Sequence, residues 1–296
     1  MANKLTLGLE LEIACLSPQA EEIIAKRGFH KQHDGSIRRP DDMPSAECGE
    51  IATGVLDVTV SMNRGIPTID YGKTMEVIDD LCRCAKLVNN SCGVHIHIGR
   101  PRSETDLKSK WSVDQLKTFI VIGKMMENTL YDLCPDSRKN DREVHSFCQN
   151  IHEIFNNSDL LNENLIAGAI HDNKYSNRQR RCWLNITEVF RDGQGSTIGS
   201  AASPKTVEIR MLGNTKRSAY IQAWTKLWLK IGAYVAYAPA TTAILHCTDL
   251  GYGIRDEVEE VKSIKLARMT KTEAKPKRES SRTSSRAARE DTEDSE

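Results

Sequence analysis

A fold that mixes strands and helices, of class α+β or α/β, is predicted for this 296-residue sequence by three observations. Short segments in which apolar and polar residues alternate predict strands. Longer segments with apolar residues at helical spacing predict helices over 112–126 and 218–231. Helix boundary signals are the third observation: residues 112–115 have the pattern of a capping box, and the Ser-Pro pair at 17–18 and Gly28 frame a shorter helix.

Charge and composition exclude several classes of protein. The 41 basic and 41 acidic side chains give zero net charge, which argues against binding of nucleic acid or anionic membrane by the whole surface. The longest apolar stretch, residues 231–245, contains Pro239 and is too short to span a bilayer, so it predicts a buried helix and a turn. No signal-peptide pattern follows Met1, and the expected location is cytoplasmic. Nine cysteines without a C-x-x-C pair predict free, mostly buried thiols.

Composition changes near residue 260. Beyond it apolar residues nearly vanish, and the Ser/Thr-rich end of the chain is first basic and then acidic. Such a segment buries too little apolar surface to offset the entropy of ordering. The sequence therefore predicts one domain over 1–260 and a disordered charged tail over 261–296, whose basic half is a candidate contact for nucleic acid or a partner.

Three of the predicted strands carry ionisable side chains on one face and aliphatic side chains on the other. They are residues 5–13, 93–99 and 206–211. The ionisable positions are Glu10, Glu12, His95, His97, Glu208 and Arg210. A solvated sheet face explains any one such strand, but two carboxylates on one strand face repel each other. Cations bound over the face explain the whole set; oxygen ligands suit Mg²⁺ or Mn²⁺, and an added imidazole suits Mn²⁺ or Zn²⁺.

Further polar candidates lie between these strands. Asp34 belongs to a His-Asp-Gly-Ser turn, Glu50 begins a Glu-Ile strand, and Asn185 is a polar position of the alternating segment 184–187. The basic run 177–181 is either an anion contact or a solvated loop. The sequence has no P-loop, no dinucleotide-binding glycine motif and no nucleophile elbow, which argues against those enzyme classes.

The order of motifs adds a family resemblance. A Glu-x-Glu strand is followed by an Asp-Gly-Ser turn, a Glu-Ile strand, Cys-Gly-Val-His-Ile-His, Pro-x-Ser-Arg, an aromatic residue before Leu-Asn, and Thr-Val-Glu-Ile-Arg. Over residues 5–235 this order resembles the putative amidoligase family of the glutamine synthetase and γ-glutamylcysteine synthetase superfamily. The resemblance implies an α+β fold whose curved, mainly antiparallel sheet forms an active-site funnel, with helices packed on its outer side.

The same resemblance implies an activity and a set of site residues. The enzyme would use ATP and Mg²⁺ or Mn²⁺ to join a carboxylate substrate to an amine substrate through an acyl phosphate. The implied metal ligands are Glu10, Glu12, Glu50, His95 and Glu208, whose side chains we expect to converge on one sheet face. His97, Arg210 and Arg138 would act in catalysis by contacting phosphate or carboxylate oxygens, and Asp34 and Asn185 would line the ATP site with them.

Two other functions are compatible with parts of the pattern. Gly-x-His-x-His also opens the metal motif of cupin-type oxygenases, which would make this a metal-dependent oxygenase or hydrolase. A cupin needs a glutamate a few residues beyond His97, where the sequence has 101–103 as Pro-Arg-Ser, and it needs a later His motif that is absent. A non-catalytic binding protein of the same fold is expected to lose a metal carboxylate, whereas all four glutamates are present.

Overall fold

A computed structural model describes residues 3–43, 47–100, 111–135, 151, 182–186, 206–213, 215–249 and 253–273. The strands in these ranges are β1 (Asn3–Ile13), β2 (Cys15–Leu16), β3 (His30–Gln32), β4 (Gly49–Ala52), β5 (Leu56–Asn63), β6 (Ile66–Asp70), β7 (Ala85–Leu87), β8 (Gly93–Gly99), β9 (Leu184–Asn185) and β10 (Val207–Gly213). The helices are α1 (Ala20–Arg27), α2 (Thr74–Arg83), α3 (Val113–Leu133), α4 (Ser218–Tyr237), α5 (Ala240–Thr248) and α6 (Arg255–Glu273).

Eight strands form one open sheet in which every described pairing is antiparallel. Its main order is β3-β4-β1-β8-β10-β9, and β5 pairs with both β1 and β6. β4 pairs with the second half of β1 and β5 with the first half, so these two short strands share one side of β1 while β8 occupies the other. Between them the Leu9 N–H donates to the Thr53 hydroxyl at 3.0 Å. The antiparallel pairing confirms the α+β alternative and excludes a parallel α/β sheet for the described strands.

The aliphatic face of β1 is the centre of the core. Its odd-numbered residues from Leu5 to Ile13 are at most 1% exposed. α4 packs behind them so closely that a Cβ at Gly232 would lie 3.1 Å from the Cγ2 of Ile98 in β8. Burying one such aliphatic side chain stabilises the fold by about 1.5–3 kcal/mol. A slip of β1 by one residue would exchange buried leucines with glutamates, so this face fixes the strand register.

The predicted helix boundaries are largely confirmed. The Ser112 hydroxyl accepts a hydrogen bond from the Gln115 N–H at 3.2 Å, and the Ser112 N–H donates to the Gln115 side chain at 3.0 Å, which completes the capping box before α3. α1 ends at Gly28 with a φ of 65°, a left-handed conformation that suits glycine. The apolar stretch 231–245 contains the end of α4, a turn at Pro239 and most of α5, as predicted.

Two further findings concern membrane-spanning helices and the cysteines. No helix in the described ranges combines the length and apolar composition that a membrane crossing requires. The eight described cysteines are free thiols, and all but Cys48 are buried, in agreement with the prediction.

The division into a domain and a tail stays a prediction, but the last described helix crosses the predicted boundary at residue 260. α6 continues through it to Glu273, and Val261 is fully buried beside Val258. The overall composition of this segment did not predict a helix, because charged residues dominate it. Its apolar residues 254, 258 and 261 are nevertheless spaced so that they lie on one side and are buried. Residues 274–296 of the predicted tail lie outside the described residues.

Candidate metal centre

The polar face of the sheet is assembled by strand register. Glu10 of β1 lies directly opposite His95 of β8, and Gly8 lies opposite His97. His97 in turn lies opposite Glu208 of β10. Because facing residues of antiparallel strands project to the same side, the ionisable side chains of three strands meet above one surface.

A third row of the same face comes from the other side of β1. Glu12 lies opposite Glu50 of β4, and Glu50 lies opposite Gln32 of β3. The Gln32 side-chain amide donates to one oxygen of Glu50. The backbone N–H of Gly93, at the start of β8, donates to one oxygen of Glu12. Both carboxylates are therefore held by neutral donors.

His95 lies at the centre of the resulting group of side chains. Its Nδ1 is 2.9 Å from Glu10 Oε2 and 3.4 Å from Glu208 Oε1, and its Nε2 is 3.7 Å from Glu12 Oε1. His97 Nε2 is 3.1 Å from the other oxygen of Glu10. We call Glu10, Glu12, Glu50, His95, His97 and Glu208 the carboxylate–histidine cluster.

Glu208 is held at both carboxylate oxygens. The Asn185 side-chain amide donates to Oε2 at 2.6 Å, and Arg210 Nε lies 2.8 Å from Oε1. Asn185 is supplied by β9, which pairs with β10 with Asn185 opposite Glu208. The orientation of this carboxylate is therefore set by two neighbouring side chains.

Burial differs across the cluster. Glu12, Glu50, His95 and Glu208 are each less than 9% exposed. The side chain of Glu10 retains 25% exposure and that of Arg210 retains 20%. Solvent therefore reaches the cluster at Glu10 and Arg210.

Burial and neighbouring charges shift the pKa values of the cluster. Burial opposes ionisation of Glu10, but the charge of His97 and hydrogen bonds from both histidines prevail and hold its pKa well below the usual 4.5. Burial first, and repulsion by Glu10 second, raise the pKa of Glu50 to about 7. Burial disfavours charged His97, yet Glu10 raises the pKa of that imidazole to about 9. Burial likewise opposes the charged form of His95, and its contacts with Glu10 and Glu208 raise its pKa. Bound protons therefore neutralise part of the cluster when no cation is present.

Three groups within this region have the donor spacing of a cation site. They are Glu10, Glu50 and His95; Glu10, His97 and Glu208; and Glu12, Asp34 and Glu50. In each group one ligand atom per residue lies within 4.8 Å of the others. Two groups offer two carboxylates and one imidazole, and the third offers three carboxylates. Such donor sets fit Mg²⁺ or Mn²⁺, whereas structural Zn²⁺ sites typically use more sulfur and nitrogen ligands.

The structure brings together nine of the ten residues predicted for the site. The five predicted metal ligands lie on one sheet face, as the resemblance led us to expect. His97 was expected to contact phosphate, and one of its ring nitrogens lies within 4.8 Å of carboxylate oxygens of Glu10 and Glu208. Asp34 was expected to line the site, and one of its carboxylate oxygens lies within 4.8 Å of oxygens of Glu12 and Glu50. Arg138 lies outside the described residues.

Sequence reasoning did not identify two groups that hold the cluster. Gln32 lies in a three-residue strand with no distinctive pattern, and the Gly93 donor is a backbone N–H that residue identity does not reveal. Only the pairing of β3 with β4, and of β1 with β8, places them beside Glu50 and Glu12.

Comparison with known proteins identifies one family. No curated protein and no solved structure matches the chain. The sequence model of the family described as putative amidoligase enzyme matches residues 66–231. This segment is more than half of the chain and contains β8, β9 and β10, whereas β1 and β4 precede it. The chain therefore belongs to the putative amidoligase enzyme family, whose description is that of a ligase-type enzyme.

Proposed function

We propose that this chain is an ATP-dependent carboxylate–amine ligase that forms an amide through an acyl phosphate, on divalent cations held by the carboxylate–histidine cluster. One observation carries the proposal: within a member of an amidoligase family, four glutamates and two histidines from four strands share one sheet face at metal-ligand spacing. A sheet that curves into a funnel, as in glutamine synthetase, is part of the same proposal.

The donor chemistry fits Mg²⁺ or Mn²⁺. Glu12 keeps a carboxylate oxygen near Glu50, and Glu208 keeps one near Glu10, although burial and mutual repulsion disfavour this arrangement. Glu12, Glu50, Asp34, His95 and Glu208 would hold cations together with Glu10. Bound cations would supply charge neutralisation for the phosphate oxygens of ATP during phosphoryl transfer.

The reaction would proceed in two steps. A carboxylate oxygen of the first substrate attacks the γ-phosphorus of ATP, and the bond to the ADP oxygen breaks. The amine nitrogen of the second substrate then attacks the acyl carbon, and phosphate leaves while the amine proton passes to solvent. The products are an amide, ADP and phosphate.

The chain's own side chains would provide donors for the oxygens in these steps. Arg210 is partly exposed beside Glu208 and has guanidinium N–H groups that suit phosphate or carboxylate oxygens. His97 lies beside Glu10 on the same face, and a ring N–H of this imidazole can donate to an anionic oxygen. Arg138, by resemblance, and Asn185 would complete this contact with ATP and the carboxylate substrate.

The test is nucleotide turnover with Mg²⁺ and ATP against pooled amino acids, polyamines and small peptides, with ADP resolved from AMP. Glu12→Gln removes one charge from the cluster and nearly preserves shape, and Glu76→Gln changes an exposed carboxylate of α2 as a matched control. We expect substrate-dependent ADP and phosphate in the wild type and the control, and loss of at least tenfold in Glu12→Gln.

Other outcomes would point elsewhere. AMP with pyrophosphate would replace the acyl phosphate by adenylation. Mg²⁺-dependent ATP binding without turnover on any pool would favour a binding protein that keeps the fold, and equal turnover in both variants would remove the cluster from the mechanism.

A further inference from the structure

One buried carboxylate of the described chain lies outside the carboxylate–histidine cluster and takes no part in the proposed chemistry. Glu127 is on α3, in the helix layer, and is 1% exposed. Its Oε1 accepts hydrogen bonds from the indole N–H of Trp183 at 2.8 Å and from the backbone N–H of Ile151 at 2.7 Å. A carboxylate is costly to bury, so its position calls for an explanation beyond simple packing.

The Trp183 ring packs against α3 at a glycine, where no side chain blocks it. Gly123 lies one helical turn before Glu127, and a Cβ at Gly123 would lie 3.1 Å from the ring atom Cη2 of Trp183. Trp183 is fully buried and also packs against Trp228 of α4, with 5.7 Å between ring centroids. The ring is thus held by its N–H at Glu127 and by contacts on α3 and α4.

Trp183 immediately precedes β9, a strand of only two residues. Its carbonyl accepts from the Arg210 N–H at 2.8 Å, and the next residue but one, Asn185, donates to Glu208 Oε2 at 2.6 Å. β9 lies at the edge of the sheet among the described strands, and two ladder residues give such a strand little stability of its own. The place of Asn185 over the sheet therefore depends on how firmly Trp183 is anchored.

We propose that Glu127 is a positioning residue: by holding the Trp183 indole it fixes Asn185, and through Asn185 it orients the Glu208 carboxylate of the metal centre. This inference rests on the proposed function. Residues that orient metal ligands typically contribute about 10- to 100-fold to metal affinity. Loosening the indole would let the Asn185 amide move off Oε2, and Glu208 would lose its fixed orientation.

The experiment measures Mn²⁺ affinity of the full chain by calorimetry or electron paramagnetic resonance, without ATP or substrates. Trp183→Phe removes the indole N–H and keeps a buried aromatic ring. Trp111→Phe is the matched control, because Trp111 is also buried and donates its N–H at 3.1 Å to a backbone carbonyl, that of Ile98. We expect about tenfold weaker Mn²⁺ binding in Trp183→Phe and less than about twofold change in the control.

A double-mutant cycle tests the route through Asn185. Asn185→Ala alone should weaken Mn²⁺ binding about tenfold, and adding Trp183→Phe should then have little further effect, because both act through the same contact. If the two substitutions together weaken Mn²⁺ binding by the product of their separate factors, the proposed route through Asn185 is overturned.

Conservative replacement of Glu127 separates its acceptor role from bulk packing. Glu127→Gln keeps Oε1 as an acceptor for both N–H groups and should retain Mn²⁺ affinity within about threefold, whereas Glu127→Leu should lose about tenfold. Equal losses in Trp183→Phe and Trp111→Phe would assign the effect to general destabilisation and overturn the inference. Unchanged affinity in Trp183→Phe would overturn it while leaving the metal centre intact, whereas a wild type that binds no Mn²⁺ would refute the proposed function itself.

Discussion

Raising pH should destabilise the cation-free protein through the carboxylate–histidine cluster. Glu50 has a native pKa of about 7 against an ordinary 4.5, so the folded state holds a proton that the unfolded chain has lost. Its stabilising contribution is present below pH 4.5 and disappears as pH rises through about 7. His97 has a native pKa of about 9 against 6.5, so its contribution is present below 6.5 and disappears as pH rises through about 9.

Both groups act in the same direction, and the raised pKa of His95 adds to them. Each of the differences for Glu50 and His97 corresponds to about 3 kcal/mol. Because both interact with Glu10, their effects should not simply add. The lowered pKa of Glu10 matters only below pH 4.5. We therefore expect a loss of about 3–6 kcal/mol in the free energy of unfolding between about pH 5 and pH 9.

Urea denaturation in metal-free buffer at several pH values measures this loss. Glu50→Gln should remove the part between about pH 5 and pH 7, and Glu76→Gln on α2 should leave the whole slope unchanged. Saturating Mg²⁺ or Mn²⁺ should restore stability most strongly at high pH, because cations replace the protons. Stability that is flat or rises over this range without cations, or an unchanged slope in Glu50→Gln, would refute the reasoning.

Three further experiments test the packing and capping of the helices by urea denaturation. Gly253→Ala should cost about 1–3 kcal/mol, since Gly253 has a φ of 55° and an added Cβ would overlap the His246 carbonyl; a cost near zero would contradict this. Ser112→Ala removes the cap of α3 and should cost about 1 kcal/mol. Lys230→Met should cost about 2–3 kcal/mol because it leaves the partly buried Glu257 without its ion-pair partner at 3.2 Å, and adding Glu257→Leu should recover most of that loss. Additive losses in that double variant would show that the pair is not coupled.

Strict alternation along β1 and β8 was sufficient to predict the polar face. Leucine at every second position leaves Glu10 and Glu12 on the opposite side, and this follows from the geometry of any extended strand. Which strands become neighbours was not available from alternation. The pairing of Glu10 with His95 joins residues 85 positions apart and is decided by packing of the whole core.

The contacts that support the cluster cannot be recognised from residue types alone. Glu127 is one of several polar residues in the sequence of α3, and only the packed structure places it against the indole N–H of Trp183. α6 was similarly hidden by charged composition, although Val258 and Val261 face the core. Local patterns therefore predicted strand faces and helix starts, while long-range packing determined the support of the cluster and the position of α6.

The position of β1 within the sheet has a consequence for synthesis on the ribosome. β1 precedes its partner β8 in the chain by most of a hundred residues, and β10, which supplies Glu208, comes later still. At about 5–20 residues per second, β10 emerges roughly ten to forty seconds after β1. During that time the leucine face of β1 lacks most of its cover, and transiently exposed apolar surface of this kind favours aggregation. The carboxylate–histidine cluster can be complete only after the ribosome has passed Gly213.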